Sequence, residues 1–250
     1  MKDLFSQQST FYAKYRPTYP QQLFDYIISF TKEQNAAWDC ATGNGQAAAA
    51  LAEKFTRVEA TDISKAQLKQ AIKKPNINYS IASEETNFDD NSFDLITVAQ
   101  AYHWLNWEKF HDEATRVGKN DAVVAIWAYS FFNCDDEGLN LLTRKFYFDI
   151  VGPYWDPERK YVDEEYKTVE FNFQPLSTRD FEITVNWDRD DLKGYLTSWS
   201  SVQNFIKQNN VSPLTLIEDE LQKVWEGKNT ISFRFPIFLK IGRIEKPAAR

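Results

Sequence analysis

The sequence predicts an α/β fold, a mostly parallel sheet with helices on both faces. Three observations predict it. Apolar, β-rich runs centred on Trp38, Val58, Tyr79, Ile96 and Val124 alternate with helical stretches such as 65–73 and 107–117, the rhythm of βαβ crossovers between parallel strands. The run Trp38-Asp39-Cys40-Ala41-Thr42-Gly43-Asn44-Gly45-Gln46 reads as a strand, a glycine-bearing turn and a helix start. Asp62 follows Gly45 by seventeen residues, at the end of the second apolar run, where α/β proteins hold the ribose of a nucleoside with an acid.

The elements follow in order. An aromatic N-terminal arm is set off by Pro17 and Pro20, and residues 21–31 then place Leu23, Ile27 and Phe30 on one helical face. Residues 36–40 have strand length. Gly43 and Gly45 supply a sharp bend and let a ligand approach where a Cβ would block it. The next helix, from Gln46, is built of strong helix formers with small side chains, so its axis lies close to the sheet and its N-terminus points at the ligand. Ser64 caps a helix that Pro75 stops. After Trp127 the rhythm fails. Residues 131–173 are dense in aromatics, with Gly152-Pro153 and Asp156-Pro157 breaks, and are too long for a simple connection. They are expected to form a lid inserted after the fifth strand. Residues 181–187 read as an edge strand, 190–208 and 214–225 as helices, and 231–241 as the strand that closes the sheet. One domain is expected over 1–250: arm and helix over 1–35, ligand-binding core over 36–130, lid and helices over 131–225, closing strand and tail over 226–250.

Composition narrows the function. At 250 residues, 43% hydrophobic and 26% charged, the chain buries a full core. A net charge of -7 with no basic cluster argues against nucleic-acid partners. No run approaches the length of a membrane span and the N-terminal residues form no signal core, so a cytoplasmic protein without membrane contact is expected. Two cysteines and two histidines give no metal-ligand spacing, and no metal is expected.

Gly43-x-Gly45-x-x-Ala48 with Asp62 also fits a dinucleotide site, which keeps a nicotinamide-dependent oxidoreductase as an alternative. Asp39 separates the two classes. A carboxylate at the end of the first strand repels a pyrophosphate and suits a cation. S-adenosylmethionine carries an ammonium and a sulfonium and no phosphate, and the lysine of a phosphate-binding loop is missing.

These residues resemble the class I S-adenosylmethionine-dependent methyltransferases, specifically the methyltransferase type 11 domain. The family's first motif is an acid followed by Gly-x-Gly-x-Gly, matched by Asp39-Cys-Ala41-Thr-Gly43-Asn-Gly45 except that Ala41 replaces the first glycine. Asp62-Ile63-Ser matches the ribose acid, and Ala82-Ser83-Glu84-Glu85 looks like the adenine-contacting segment before the fourth strand. The resemblance implies a Rossmann-like fold with a seven-stranded sheet, S-adenosyl-L-methionine as cofactor and S-adenosyl-L-homocysteine as product. Cofactor contacts are expected from Tyr12, Arg16, Tyr19, Asp39, Ala41, Thr42, Gly43, Gly45, Gln46, Asp62, Ile63, Ser83, Glu84 and Gln100. The outer motifs, Tyr12 to Pro20, Ala99-Gln100-Ala101-Tyr-His103-Trp104 and Tyr195 to Ser200, resemble the small-molecule branch grouped with trans-aconitate methyltransferase.

His103 and Trp104 leave the carboxyl end of the fourth strand, where ligands of open α/β sheets bind, and are the expected catalytic pair. Similar His-Trp pairs occur in enzymes that methylate small carboxylic acids, so the resemblance implies a small-molecule acceptor and an ester product. A carboxylate is ionised at neutral pH and needs no base. Arg16 suits the carboxylate of cofactor or acceptor, and Tyr12, Tyr15 and Tyr19 suit a sulfonium through cation-π attraction. Two alternatives stay open: an O- or N-methyltransferase with His103 as general base, and a noncatalytic S-adenosylmethionine-binding protein.

Overall fold

The computed structural model describes residues 15–246; Tyr12 lies outside them. After helix α1 (Gln21–Ile28), the chain alternates β1 (Ala36–Cys40), α2 (Gln46–Leu51), β2 (Arg57–Asp62), α3 (Lys65–Gln70), β3 (Ile77–Ile81), β4 (Phe93–Ala99), α4 (Trp107–Val117) and β5 (Gly118–Tyr129). Ser64 caps α3 by accepting from the Gln67 N–H at 3.2 Å, and Asn106 caps α4 by accepting from the Lys109 N–H at 3.1 Å. There follow β6 (Asn133–Cys134), α5 (Glu137–Lys145), α6 (Arg159–Asp163), β7 (Gln174–Pro175), β8 (Phe181–Trp187), α7 (Arg189–Thr197), α8 (Ser200–Asn209), α9 (Glu218–Trp225) and β9 (Ile231–Arg243).

Strands β1 to β5 are parallel, in the order β3-β2-β1-β4-β5. Strand β9 is antiparallel to β5, and β8 lies antiparallel on its other edge. Seven long strands thus form the sheet. The two-residue β6 and β7 extend it along the two sides of β9. The chain proceeds from β1 outward to β3, then restarts at β4 beside β1 and runs the opposite way to β5. This reversal leaves a crevice at the carboxyl ends of β1 and β4, the place where open α/β sheets bind ligands.

Both faces of the sheet are covered. Along β5, Val123, Ala125, Trp127 and Tyr129 enter one core while Ala122, Val124, Ile126 and Ala128 enter the other, the two-residue alternation of a strand buried on both sides. The aromatic segment inserted after β5 packs into both cores. Phe146, Tyr147 and Val151 sit in the first core, whereas Val162, Tyr166, Val169 and Phe173 sit in the second. So much buried aromatic area anchors the segment to both faces. The expected helix over 190–208 is two helices, because Trp199 turns extended and sends its ring into contact with Tyr147, Trp155 and Tyr195. His111 on α4 is buried against the Tyr102 hydroxyl at 3.0 Å.

Candidate active site

The turn after β1 is assembled by Asp39 from behind. Asp39 is fully buried. Its Oδ2 accepts from the Thr42 hydroxyl and the Ala48 N–H, and its Oδ1 accepts from the Thr97 hydroxyl on β4 at 2.8 Å. Gly45 occupies the cap position of α2 and has no side chain to offer, so Asp39 satisfies the third helical N–H in its place. Desolvation pushes the Asp39 pKa up from 3.8 to about 6, opposed by these three hydrogen bonds. The carboxylate expected to face a cation therefore stands behind the cavity wall, bracing β1, the turn and β4 together.

The turn requires left-handed backbone at three places: Ala41 at φ 55°, Gly43 at 57° and Gly45 at 80°. Alanine pays about 1–2 kcal/mol for that conformation, which glycine adopts freely. The strained residue stands where the resembling motif has its first glycine. Gly45 carries a second constraint, since a Cβ there would lie 2.3 Å from the Tyr79 hydroxyl.

A cavity opens at the crevice. One wall is Ala41, Thr42, Gly43 and Gln46 from the turn and α2; another is Asp62 and Ile63 after β2. Arg16 and Tyr19 close it from the N-terminal side, and Gln100 and Trp104 from the end of β4. Asp62 is oriented by two backbone donors, the Gly43 N–H and the Ser64 N–H, each at 2.8 Å. Gln100 is also left-handed, at φ 55°, and its Oε1 accepts from the Tyr129 N–H at 2.9 Å. Strain of this kind concentrates where a ligand site over-determines the backbone.

Four expected residues do not line this cavity. Asp39 and Gly45 stand behind it. Ser83 and Glu84 are absent from its lining: Glu84 is buried and its Oε1 accepts from the Asn106 N–H at 3.2 Å, toward the start of α4, while its Oε2 has no hydrogen-bond partner among the described residues. Tyr15, another expected cation partner, lies against Gly194 of α7.

Gln67 is a lining residue that sequence reasoning missed. Ser64-x-x-Gln67 reads as a capping box, in which the glutamine side chain returns to the serine N–H. Asp62 takes that N–H instead. The Gln67 side chain is left on the cavity wall, with a buried Oε1 that has no partner among the described residues. An orphaned acceptor costs free energy unless a ligand donor meets it. The Gln67 oxygen, beside Asp62 and the open glycine turn, gives a wall without a lysine, which fits a nucleoside lacking phosphate.

A second cavity shares Arg16, Gln100 and Trp104 with the first and continues between His103, Trp155, Arg159 and Trp199. Arg16 bridges the two, donating to the Tyr129 hydroxyl at 2.9 Å and the Ser198 carbonyl at 3.2 Å. His103 is buried, with Nδ1 2.8 Å from the Tyr166 hydroxyl. Burial, helped by the positive charge of Arg159, lowers the His103 pKa from 6.5 to about 3. The ring is neutral at pH 7.

Comparisons with known proteins agree with this geometry. A methyltransferase domain family matches residues 38–126. A Dictyostelium discoideum protein named as a methyltransferase is 32% identical over 97% of this chain and 95% of its own length. A Saccharomyces cerevisiae protein named as an S-adenosylmethionine-dependent methyltransferase is 29% identical over 49% of this chain and 45% of its own. The solved structure of an Anaeromyxobacter dehalogenans protein named as a type II methyltransferase superposes with a TM-score of 0.85 at 33% identity, covering 93% of this chain and 99% of that one. With the Dictyostelium and Anaeromyxobacter relatives matched over nearly their whole length at 32% and 33% identity, and with the crevice, glycine turn and ribose-type acid in place, the chain belongs to the class I S-adenosylmethionine-dependent methyltransferases.

Proposed function

We propose that this enzyme methylates a carboxylate oxygen of a small organic acid, giving a methyl ester. The reading is carried by His103. A base whose pKa is held at about 3 is poorly matched to removing a proton at pH 7, and its Nδ1 is already engaged by Tyr166. The nucleophile must then arrive without a proton to lose, as a carboxylate does. The His-Trp motif at the end of β4 supports the same class by its resemblance to enzymes of the trans-aconitate branch.

When bound, S-adenosylmethionine supplies a methyl group on positively charged sulfur, already activated for in-line displacement. The residues that would hold it are Asp62 and Gln67 for hydroxyl and amino donors, with Thr42, Gly43 and Gln46 at the turn. Arg16, tied to Tyr129 and Ser198, presents positive charge where the two cavities join and orients the acceptor carboxylate. In this reading the Tyr166 phenol donates to Nδ1, so His103 offers an Nε2 proton to that acid and keeps it there throughout the reaction. Trp104 and Tyr19 exclude water from the junction, so alignment supplies the rate.

Transfer of labelled methyl from S-adenosylmethionine to a panel of small acids, alcohols and amines tests the reading. The expected product releases volatile methanol in alkali. An alkali-stable product overturns the ester and returns the reaction to a hydroxyl or amine acceptor.

A further inference from the structure

The second cavity holds a cationic group that the methyl transfer described above does not use. Arg159 is only 17% exposed at its side chain. One edge of its guanidinium is neutralised: Nε donates to the Tyr147 hydroxyl at 2.7 Å and to Asp163 Oδ1 at 3.2 Å. Its two terminal amino groups make no hydrogen bond among the described residues. The guanidinium carbon lies 4.9 Å from the Trp155 ring centroid and 5.5 Å from that of Tyr147. Trp155 also lines the cavity, and its indole N–H is buried without a partner among the described residues. Trp199 stands 5.6 Å from Trp155, centroid to centroid. Among carboxylates, Asp163 meets only the Nε side, and Asp156 lies next in sequence to Trp155 but does not line the cavity.

Unmet donors in an enclosed site are costly unless something accepts from them. A guanidinium with its amino groups presented on an aromatic wall is matched to a planar anion, which it engages through two parallel N–H bonds. Arg16 lines both cavities whereas Arg159 lines only the second, so the two cations serve different ends of one acceptor. We propose that Arg159 and Trp155 form a subsite for a carboxylate group of the acceptor that is not the group methylated. The subsite rests on the proposed function only in taking the first cavity as the cofactor's. It holds whether the methylated atom is a carboxylate, hydroxyl or amine. The acceptor is accordingly an acid that carries its anion at a distance from its reacting group, with an apolar or planar body lying against Trp155 and Trp199.

The test is binding of a carboxylate probe, trifluoroacetate, read from ¹⁹F line broadening with the full-length protein in S-adenosylhomocysteine. Saturable broadening is expected in the wild type. Arg159→Gln should weaken it about tenfold or more, the loss of a charge-assisted pair. Trp155→Phe, which keeps the ring and removes only the N–H, should weaken it severalfold, and Arg159→Lys should restore part of the affinity. Calorimetric binding of S-adenosylhomocysteine should be unchanged in all three variants, which also reports that they are folded. No saturable binding in the wild type, or equal binding in wild type and Arg159→Gln, overturns the subsite. Displacement of the probe by inorganic phosphate at lower concentration than by acetate overturns its assignment to a carboxylate. Failure of the wild type to bind S-adenosylhomocysteine would count against the cofactor assignment, and an alkali-stable product against the ester alone.

Discussion

Gly45→Ala is expected to lower stability by about 2–3 kcal/mol and to weaken S-adenosylmethionine binding about a hundredfold. The new methyl group meets two obstacles. At φ 80° an L-residue sits in the left-handed region at a cost of about 1–2 kcal/mol. Its Cβ also falls 2.3 Å from the Tyr79 hydroxyl, far inside contact distance, so Tyr79 or the turn must move. Tyr79 donates to the Ile72 carbonyl at 2.6 Å, and the Ile72 N–H donates to the Asn44 carbonyl at 3.1 Å. Moving the phenol therefore loosens the connection that latches the turn to the segment between α3 and β3, forfeiting roughly 1 kcal/mol per bond. Gly43→Ala gives the contrast, because no atom lies within 4 Å of its added Cβ and only the backbone term applies. Thermal unfolding and calorimetric titration measure both effects. A Gly45→Ala protein with wild-type melting temperature and affinity would show that the turn tolerates a Cβ there.

Asp39 governs the second large effect, on how stability varies with pH. The folded protein keeps the Asp39 proton up to about pH 6, whereas the unfolded chain releases it near 3.8. Between those values the folded state binds more protons, so stability falls as pH rises, and the loss is complete above pH 6. The size is about 3 kcal/mol for a fully desolvated carboxylate shifted this far. The charge is retained because Thr42, Thr97 and Ala48 all donate to it, and together these bonds shape the turn. Asp39→Asn should abolish this component: from pH 4 to pH 7 the variant's urea-unfolding free energy should rise relative to wild type by about 2.5 kcal/mol. Parallel curves for the two proteins would show that the carboxyl titrates normally.

The parts legible in the sequence are those fixed by local spacing. The strand, glycine turn and helix from Trp38 to Ala50, the cap at Ser64 and the alternation of strands and helices up to Val124 all involve residues close in the chain. Even the strand over 181–187 and the closing strand after Ile231 are visible from alternation and β-branched content. What was not legible depends on contacts across the fold. Asp39 is recognisable as an acid at a strand end, but its burial and its bond to Thr97, fifty-eight residues away, follow from β4 docking beside β1. Gln67 imitates a capping box until Asp62 is seen to take the Ser64 N–H. Glu84 is aimed at α4 by an interaction with Asn106 twenty-two residues later. Arg159 and Trp155 lie in an aromatic segment with no periodicity, and only the packing of that segment into both cores brings them to Trp104 and His103.

The pH dependence of kcat, compared between wild type and His103→Gln on the acid identified by the labelled-methyl panel, tests most directly whether an already ionised nucleophile is used. Expected are flat profiles for both proteins between about pH 6 and 9, with kcat in the variant within about tenfold of wild type and the larger effect on KM. A fall in kcat of about 10²–10⁴ in His103→Gln, or an acid limb near pH 6.5 in the wild type that the variant lacks, would make His103 the general base and contradict the carboxylate acceptor.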